Sequence, residues 1–234
     1  GFMMVTLHYL SNSRSFRVLW LLEELAWVYD VDYQLITHQR TQNYLAPDEL
    51  KHIHPMGKAP ILIDGEKVLA ESGFILEYLL KKYDINHEFK PTDEDGWELF
   101  TFWLHFSESS MMPPLVMRLV MQKIVEKSPW LIKLITKTIA KKVEDLVIAS
   151  NINQSFDLLE SQLSKTTWVA GNKFSAADIQ TYFSAKALDS RGGLGERNHI
   201  KQWILACEER LAYNSTTVKG GKLFDADDSQ KSVK

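Results

Sequence analysis

The chain has 234 residues, 45% of them hydrophobic and 24% charged, and a net charge of −3. That length suits two domains and a sizeable core, while the mild acidity favours a small-molecule or protein partner over nucleic acid or anionic lipid. One cysteine, Cys207, excludes an internal disulfide, a CxxC redox pair and a cysteine-based zinc site, which suits the cytosol; no uncharged apolar run nears the length of a membrane span.

Residues 5–10, VTLHYL, alternate with a period of two and predict a strand. FRVLWLLEEL follows at 16–25 with Val18, Leu21, Leu22 and Leu25 at helical spacing, so the strand feeds a helix through SNSRS. VDYQLIT (31–37) predicts a second strand, and the segment 38–55 is polar and irregular, with Pro47 and Pro55 as breakers. PILIDGEKVLA (60–70) predicts an antiparallel hairpin turning at Asp64-Gly65. ESGFILEYLLKKY (71–83) predicts a helix with Glu71 at its start and Lys81 and Lys82 at its end, as the helix dipole favours.

DINHEFKP (84–91) lacks periodicity and is the expected linker; the chain beyond it reads as helical. Thr92 and Asp95 form a capping-box pattern ahead of Trp97, Phe100 and Leu104. Pro113-Pro114 predicts a break or kink, and Ser128-Pro129 predicts the N-cap and first turn of a new helix. Helical spacings at Phe156, Leu159 and Leu163, and at Ile200, Trp203, Ile204 and Leu211, flank FSAADIQTYFSAKAL, where Ser175-x-x-Asp178 is a second capping box. Lys133, Lys137 and Lys141 recur every four residues as a solvated stripe, and the histidines have no metal-ligand spacing. The expected organisation is an α/β domain over 4–83, a linker over 84–91, an all-helical domain over 92–224 and a frayed polar tail over 225–234.

Three stretches can carry chemistry. In KAPILID, Pro60 either ends a loop or sits in a cis Ala59-Pro60 bond that turns the Ala59 backbone outward, where it can pair with an extended peptide. In ESG, Glu71 and Ser72 are ordinary helix-start residues; side by side they also suit the ammonium and the carboxylate of an amino-acid head group. In SNSRSF, one of Ser11, Ser13 and Ser15 caps the helix, and a hydroxyl held there can also donate to a thiolate that the helix dipole favours. No G-x-S-x-G is present, and no base adjoins these serines, which leaves a serine hydrolase unsupported.

The order of strand, serine turn, helix, irregular segment, HPMGKAP, hairpin, AESGFILEYL, linker and helices containing FSAAD resembles the cytosolic glutathione transferases over residues 4–222. HYLSNSRSFRVLWLLEEL and ELKHIHPMGKAPIL are similar to a serine-type fungal and bacterial subgroup typified by a yeast glutathione transferase. The resemblance implies a thioredoxin-like α/β N-terminal domain that binds glutathione and an all-α C-terminal domain that shapes an electrophile pocket.

Residue by residue, it implies Ser13 as the hydroxyl that stabilises the thiolate, with Ser11 and Ser15 as runners-up. Lys58, Ala59 and a cis Pro60 would meet the cysteinyl backbone, Glu71 and Ser72 the γ-glutamyl group, and Arg40 or His54 the glycine carboxylate. Arg14 stands where cysteine-type relatives carry their cysteine, so a mixed disulfide with glutathione cannot form there, and Asn12 replaces a glycine often seen in the turn. Trp103, His105, Phe106 and Met112 are candidates for the electrophile pocket, although helical spacing suits core packing for most of them.

The implied activity is conjugation of the glutathione thiolate to hydrophobic electrophiles, with glutathione as co-substrate and no metal. Reduction of organic hydroperoxides is the nearest enzymatic alternative. A non-catalytic glutathione-binding or protein-interaction module of the same fold is a rival from another class. A thiol-disulfide reductase is disfavoured because Cys207 lies late in the chain. The family further implies a homodimer, while the single cysteine and the mild acidity point to a cytoplasmic protein that engages no nucleic acid.

Overall fold

The computed structural model describes residues 4–41 and 45–225. In β1 (Val5–Leu10), buried Val5, Leu7 and Tyr9 alternate with half-buried Thr6 and His8, the period-two pattern of a strand with two faces. A helix, α1 (Ser15–Tyr29), crosses over to β2 (Tyr33–His38), which runs parallel to β1. After a 3-10 turn at Asp48–His52, β3 (Ile61–Asp64) pairs antiparallel with β1, and β4 (Lys67–Ala70) with β3. Gly65, at φ 60°, supplies the left-handed backbone that the hairpin turn requires. The sheet order is β2-β1-β3-β4, and α2 (Ser72–Tyr83) completes the expected thioredoxin-like unit.

Every residue of α1 from Ser15 to Leu25 is buried, because the sheet covers one side of the helix and the helical half of the chain covers the other. Trp20 stands at this seam with its ring edge-on to Tyr182 and Tyr213, at centroid distances of 5.3 and 5.1 Å. Arg210 forks the Glu24 carboxylate at 2.6 and 2.9 Å, and Lys219 reaches Glu23 at 3.0 Å. One continuous apolar core therefore spans both halves.

The C-terminal half is helical: α3 (Glu94–Phe106), α4 (Met112–Lys127), α5 (Lys133–Val143), α6 (Ala149–Lys165), α7 (Ala176–Asp189), α8 (Asn198–Glu208) and α9 (Leu211–Gly220). Its details correct three expectations. The cap of α3 is Asp93, whose carboxylate accepts the Gly96 N–H at 2.9 Å, rather than the Thr92–Asp95 pair. A Cβ at Gly96 would lie 2.7 Å from that carboxylate, so the glycine permits the close approach.

Pro113-Pro114 does not break the helical path. A π turn at Ser107–Met111 joins α3 to α4 and leaves both prolines in the first turn of α4, where a missing N–H costs little. Ser128 ends α4 instead of starting a helix: its hydroxyl donates back to the Ile124 carbonyl, and α5 begins at Lys133.

Residues 84–93 carry neither helix nor strand, yet they are pinned. The buried Asp84 carboxylate accepts the N–H groups of Glu88 and Phe89 at 2.8 and 2.9 Å, and Phe89 enters the core. The Ser175–Asp178 capping box forms as expected. Asp178, fully buried, also accepts the Val169 N–H and the Trp203 indole N–H, both at 2.9 Å. Of the expected frayed tail, only Asp225 belongs to the described residues.

Candidate functional site

Strand register assembles the site. His8 pairs with Ile61 and Ile61 with Ala70, so Pro60 and Glu71 lie level at the end of the sheet where β1 runs into the serine turn. Leu10 pairs with His38 on the other side, which carries Arg40 past the same end. Residues 11–15, 58–60, 71–72 and Arg40, far apart in sequence, thus meet along one edge.

Within the serine turn the hydroxyls are not equivalent. Ser13 is buried; its hydroxyl donates to the Leu10 carbonyl at 2.6 Å and accepts the Ser15 N–H at 3.0 Å. Ser15, the first residue of α1, accepts the Leu10 N–H at 3.2 Å. These two close the strand-to-helix turn, and Ser11 is left half-buried at its rim; the expected serine cap does not form, because Arg14 is the N-cap of α1 and no side chain caps that helix. Asn12 holds φ 51°, a left-handed conformation that asparagine tolerates, and its side-chain oxygen accepts the Phe224 N–H at 2.9 Å. Arg40 donates to the carbonyls of Ser11 and Asn12 at 3.2 and 2.8 Å, bracing the turn from β2.

Ala59-Pro60 is cis, with Pro60 buried, Ala59 half-buried and Lys58 exposed. His54 accepts the Met56 N–H on Nδ1 at 3.2 Å, which leaves Nε2 as the ring nitrogen that can donate. Glu71 is exposed and sits at φ 78°, a backbone region costly for a residue with a side chain. No side chain caps α2, so the free N–H groups of its first turn face the site beside buried Ser72.

Of the four pocket candidates, Trp103 and Phe106 touch, but His105 is turned away from them. Trp103 is 1% exposed and edges onto Phe106, while Met112 is also in the core. His105 is exposed, since two residues along a helix turn a side chain about 200° away from Trp103. Phe106, half-buried, stacks on Phe102 with centroids 5.0 Å apart.

One site residue escapes sequence reasoning. Glu108, on the π turn, reaches across the seam to Arg14 at 3.1 Å and to fully buried Arg17, whose guanidinium lies 4.6 Å from the Phe183 ring centre. Burial alone would raise the Glu108 carboxyl, but Arg17 and Arg14 override it and hold it below the usual carboxylate range. No periodicity links residue 108 to 14 or 17, and a π turn leaves no signature in a single sequence. Burial pushes the Cys207 thiol well up, which makes it a poor nucleophile. Among the described residues no group of His, Cys, Asp and Glu could hold a metal ion, and no helix is long and apolar enough to cross a membrane.

Comparison with known proteins converges on one family. The family model "Glutathione S-transferase, N-terminal domain" matches residues 3–81, and "Glutathione S-transferase, C-terminal domain" matches residues 111–210. Glutathione S-transferase 3 of Schizosaccharomyces pombe is 33% identical over 213 residues, 89% of this chain and 85% of that protein. Glutathione S-transferase 1 of Saccharomyces cerevisiae is 29% identical over 229 residues, 94% of this chain and 96% of that protein. A glutathione S-transferase structure from Actinobacillus pleuropneumoniae superposes with a TM-score of 0.75 at 29% identity, covering 95% of each chain. The thioredoxin-like unit, the helical half fused to it and these matches together make the chain a member of the glutathione S-transferase family.

Proposed function

We propose that this transferase binds glutathione along the sheet edge, with its thiol at the serine turn, and conjugates the thiolate to hydrophobic electrophiles. The observation that carries this reading is Glu71. Its costly left-handed backbone sits at an uncapped helix start, level with Ala59-Pro60. Strain of this kind persists where the surroundings over-determine it, and it concentrates in ligand clamps.

In the proposed complex the first-turn N–H groups of α2 and the Ser72 hydroxyl take the γ-glutamyl carboxylate, and the Glu71 carboxylate takes the ammonium. The Ala59 backbone pairs with the cysteinyl unit, while Lys58, Arg40 and the Nε2 of His54 serve the glycine carboxylate. Ser13 donates to the thiolate, exchanging its bond to the Leu10 carbonyl for a charged one. Lowering a thiol pKa by about two units requires about 2.7 kcal/mol. One charged hydrogen bond supplies roughly 1.5–3 kcal/mol and a helix terminus roughly 0.3–1.

Half-exposed Phe74 on α2 and Trp97 on α3 are large apolar side chains that a homodimer would cover, and a reduced cytosol suits a chain whose single thiol is buried. Hydroperoxide reduction would use the same thiolate, and nothing in the geometry favours it over conjugation. Retention on immobilised glutathione, followed by a conjugation assay with an activated aromatic halide, tests the reading. Retention without turnover leaves the non-catalytic module; neither retention nor turnover overturns the proposal.

A further inference from the structure

The hairpin formed by α4 and α5 is apolar where it should face water. Helix α5 has no buried residue at all. At the tip, Trp130 is 82% exposed, Leu131 72% and Leu134 77%. Ile135 and Ile139 follow one turn apart on α5, and Val116, Val120 and Ile124 stand at four-residue intervals along α4, all exposed. A groove of about 510 Å³, lined by Val120 and Ile124 from α4, Ile132 just before α5 and Thr136 on it, joins the two stripes into one surface. Soluble monomers rarely leave so large a contiguous apolar patch uncovered.

Charge identifies the occupant. Residues 112–150 carry seven basic side chains against three acidic ones in a chain whose net charge is −3. Two of the acidic groups are spoken for, Glu144 by Arg118 and Asp145 by Lys141. Lys123 and Lys127 line the groove itself, and Lys142 flanks the α5 stripe, all three exposed. A second copy of the chain seated on this face about a two-fold axis would set these lysines against their own images. An acidic, apolar-backed plane accepts both features: apolar side chains enter the acyl boundary, lysine stems lie along it, and their ammonium groups reach the phosphates.

We propose that the α4–α5 tip is a peripheral docking surface for a bilayer carrying anionic lipid, with Trp130 and Leu134 as its apolar anchors. The activity is not required for this surface, so its test is independent of the one above. The full-length protein is sedimented with phosphatidylcholine vesicles and with vesicles containing roughly 30 mol% phosphatidylserine, which gives the surface a negative potential. Binding should be at least about tenfold stronger to the acidic vesicles and should weaken as salt shortens the Debye length from about 10 Å at 0.1 M to about 3 Å at 1 M.

The double variant Trp130→Ser/Leu134→Ser should lose at least about tenfold in vesicle binding, because both anchors leave the acyl boundary. Lys123→Glu/Lys127→Glu, which reverses the two lysines of the groove, should lose its preference for the acidic vesicles. Because these residues are solvent-facing or nearly so, both variants should keep the parent's melting temperature and conjugation rate. Equal partition of the parent protein into both vesicle types, or unchanged binding by the Trp130/Leu134 variant, overturns the proposal. A drop in solution mass on light scattering for that variant, without vesicle binding by the parent, assigns the face to a second copy instead.

Discussion

Arg17 of α1 is fully buried, and the carboxylate that meets it comes from Glu108, on the π turn of the other half of the molecule. The contact is an ion pair by distance without hydrogen-bond alignment, and the Phe183 ring covers the rest of the guanidinium. Removing the carboxylate strands a buried cation, so Glu108→Ala should cost about 3 kcal/mol, seen as a lowered melting temperature. The pH dependence has a definite sign. Because the native carboxyl is held below its usual value, its stabilisation is present above about pH 4.5 and is lost as pH falls through the lowered native value. Melting curves between pH 6 and pH 3 should fall more steeply for the parent than for Glu108→Gln; parallel curves would refute this.

Glu71 offers a prediction in which stability and binding move in opposite directions. Glycine relieves the strain at φ 78°, so Glu71→Gly should raise stability by about 1 kcal/mol while discarding the carboxylate proposed to hold the ammonium. Glu71→Ala keeps the strain and loses the carboxylate. Both variants should raise the half-saturating glutathione concentration more than they lower turnover, and only the glycine variant should melt higher than the parent. If Glu71→Gly melts lower, the strain argument fails.

Much of this layout can be read from the chain. Period-two alternation in VTLHYL, helical spacing in FRVLWLLEEL and the Asp64-Gly65 turn specify the N-terminal unit because its elements follow local periodicity and turn chemistry. The Ser175–Asp178 box was legible because both partners lie within one helical turn. The failures lie where tertiary contacts decide. Asp93 outcompetes Thr92 because Gly96 lets its carboxylate close in, and Glu108 finds its partners across the domain seam. Whole-chain net charge likewise averages away the basic, apolar α4–α5 tip.

Asp178 shows what the capping box holds beyond its own helix. Its carboxylate accepts the N–H groups of Val169 and Ser175 and the Trp203 indole, so it ties the turn before α7 to α8. Asp178→Ala leaves three buried donors unpaired, each costing about 1–3 kcal/mol. The expected outcome is loss of more than 3 kcal/mol on urea denaturation, read as a fall in midpoint at unchanged slope, or failure to recover folded protein. A loss under 1 kcal/mol would mean that the donors find other acceptors.

The serine series separates turn brace from catalyst. Ser15→Ala removes the acceptor for the Leu10 N–H and should lower stability by about 1 kcal/mol, with little change in the conjugation step. Ser11→Ala removes a half-buried rim hydroxyl and should be nearly silent in both. Ser13→Ala should do both kinds of damage, because the same hydroxyl accepts the Ser15 N–H and, in the proposed complex, donates to the thiolate. Loss of a charged hydrogen bond of roughly 1.5–3 kcal/mol corresponds to a fall of about 10- to 150-fold in kcat/KM. The readout that a purely structural role would not move is the pH at which enzyme-bound glutathione ionises, followed by thiolate ultraviolet absorbance. It should rise in Ser13→Ala and stay put in Ser15→Ala. A rise confined to Ser11→Ala would transfer the donor role to the rim of the turn and leave Ser13 as the brace that its bonds to the Leu10 carbonyl and the Ser15 N–H already make it.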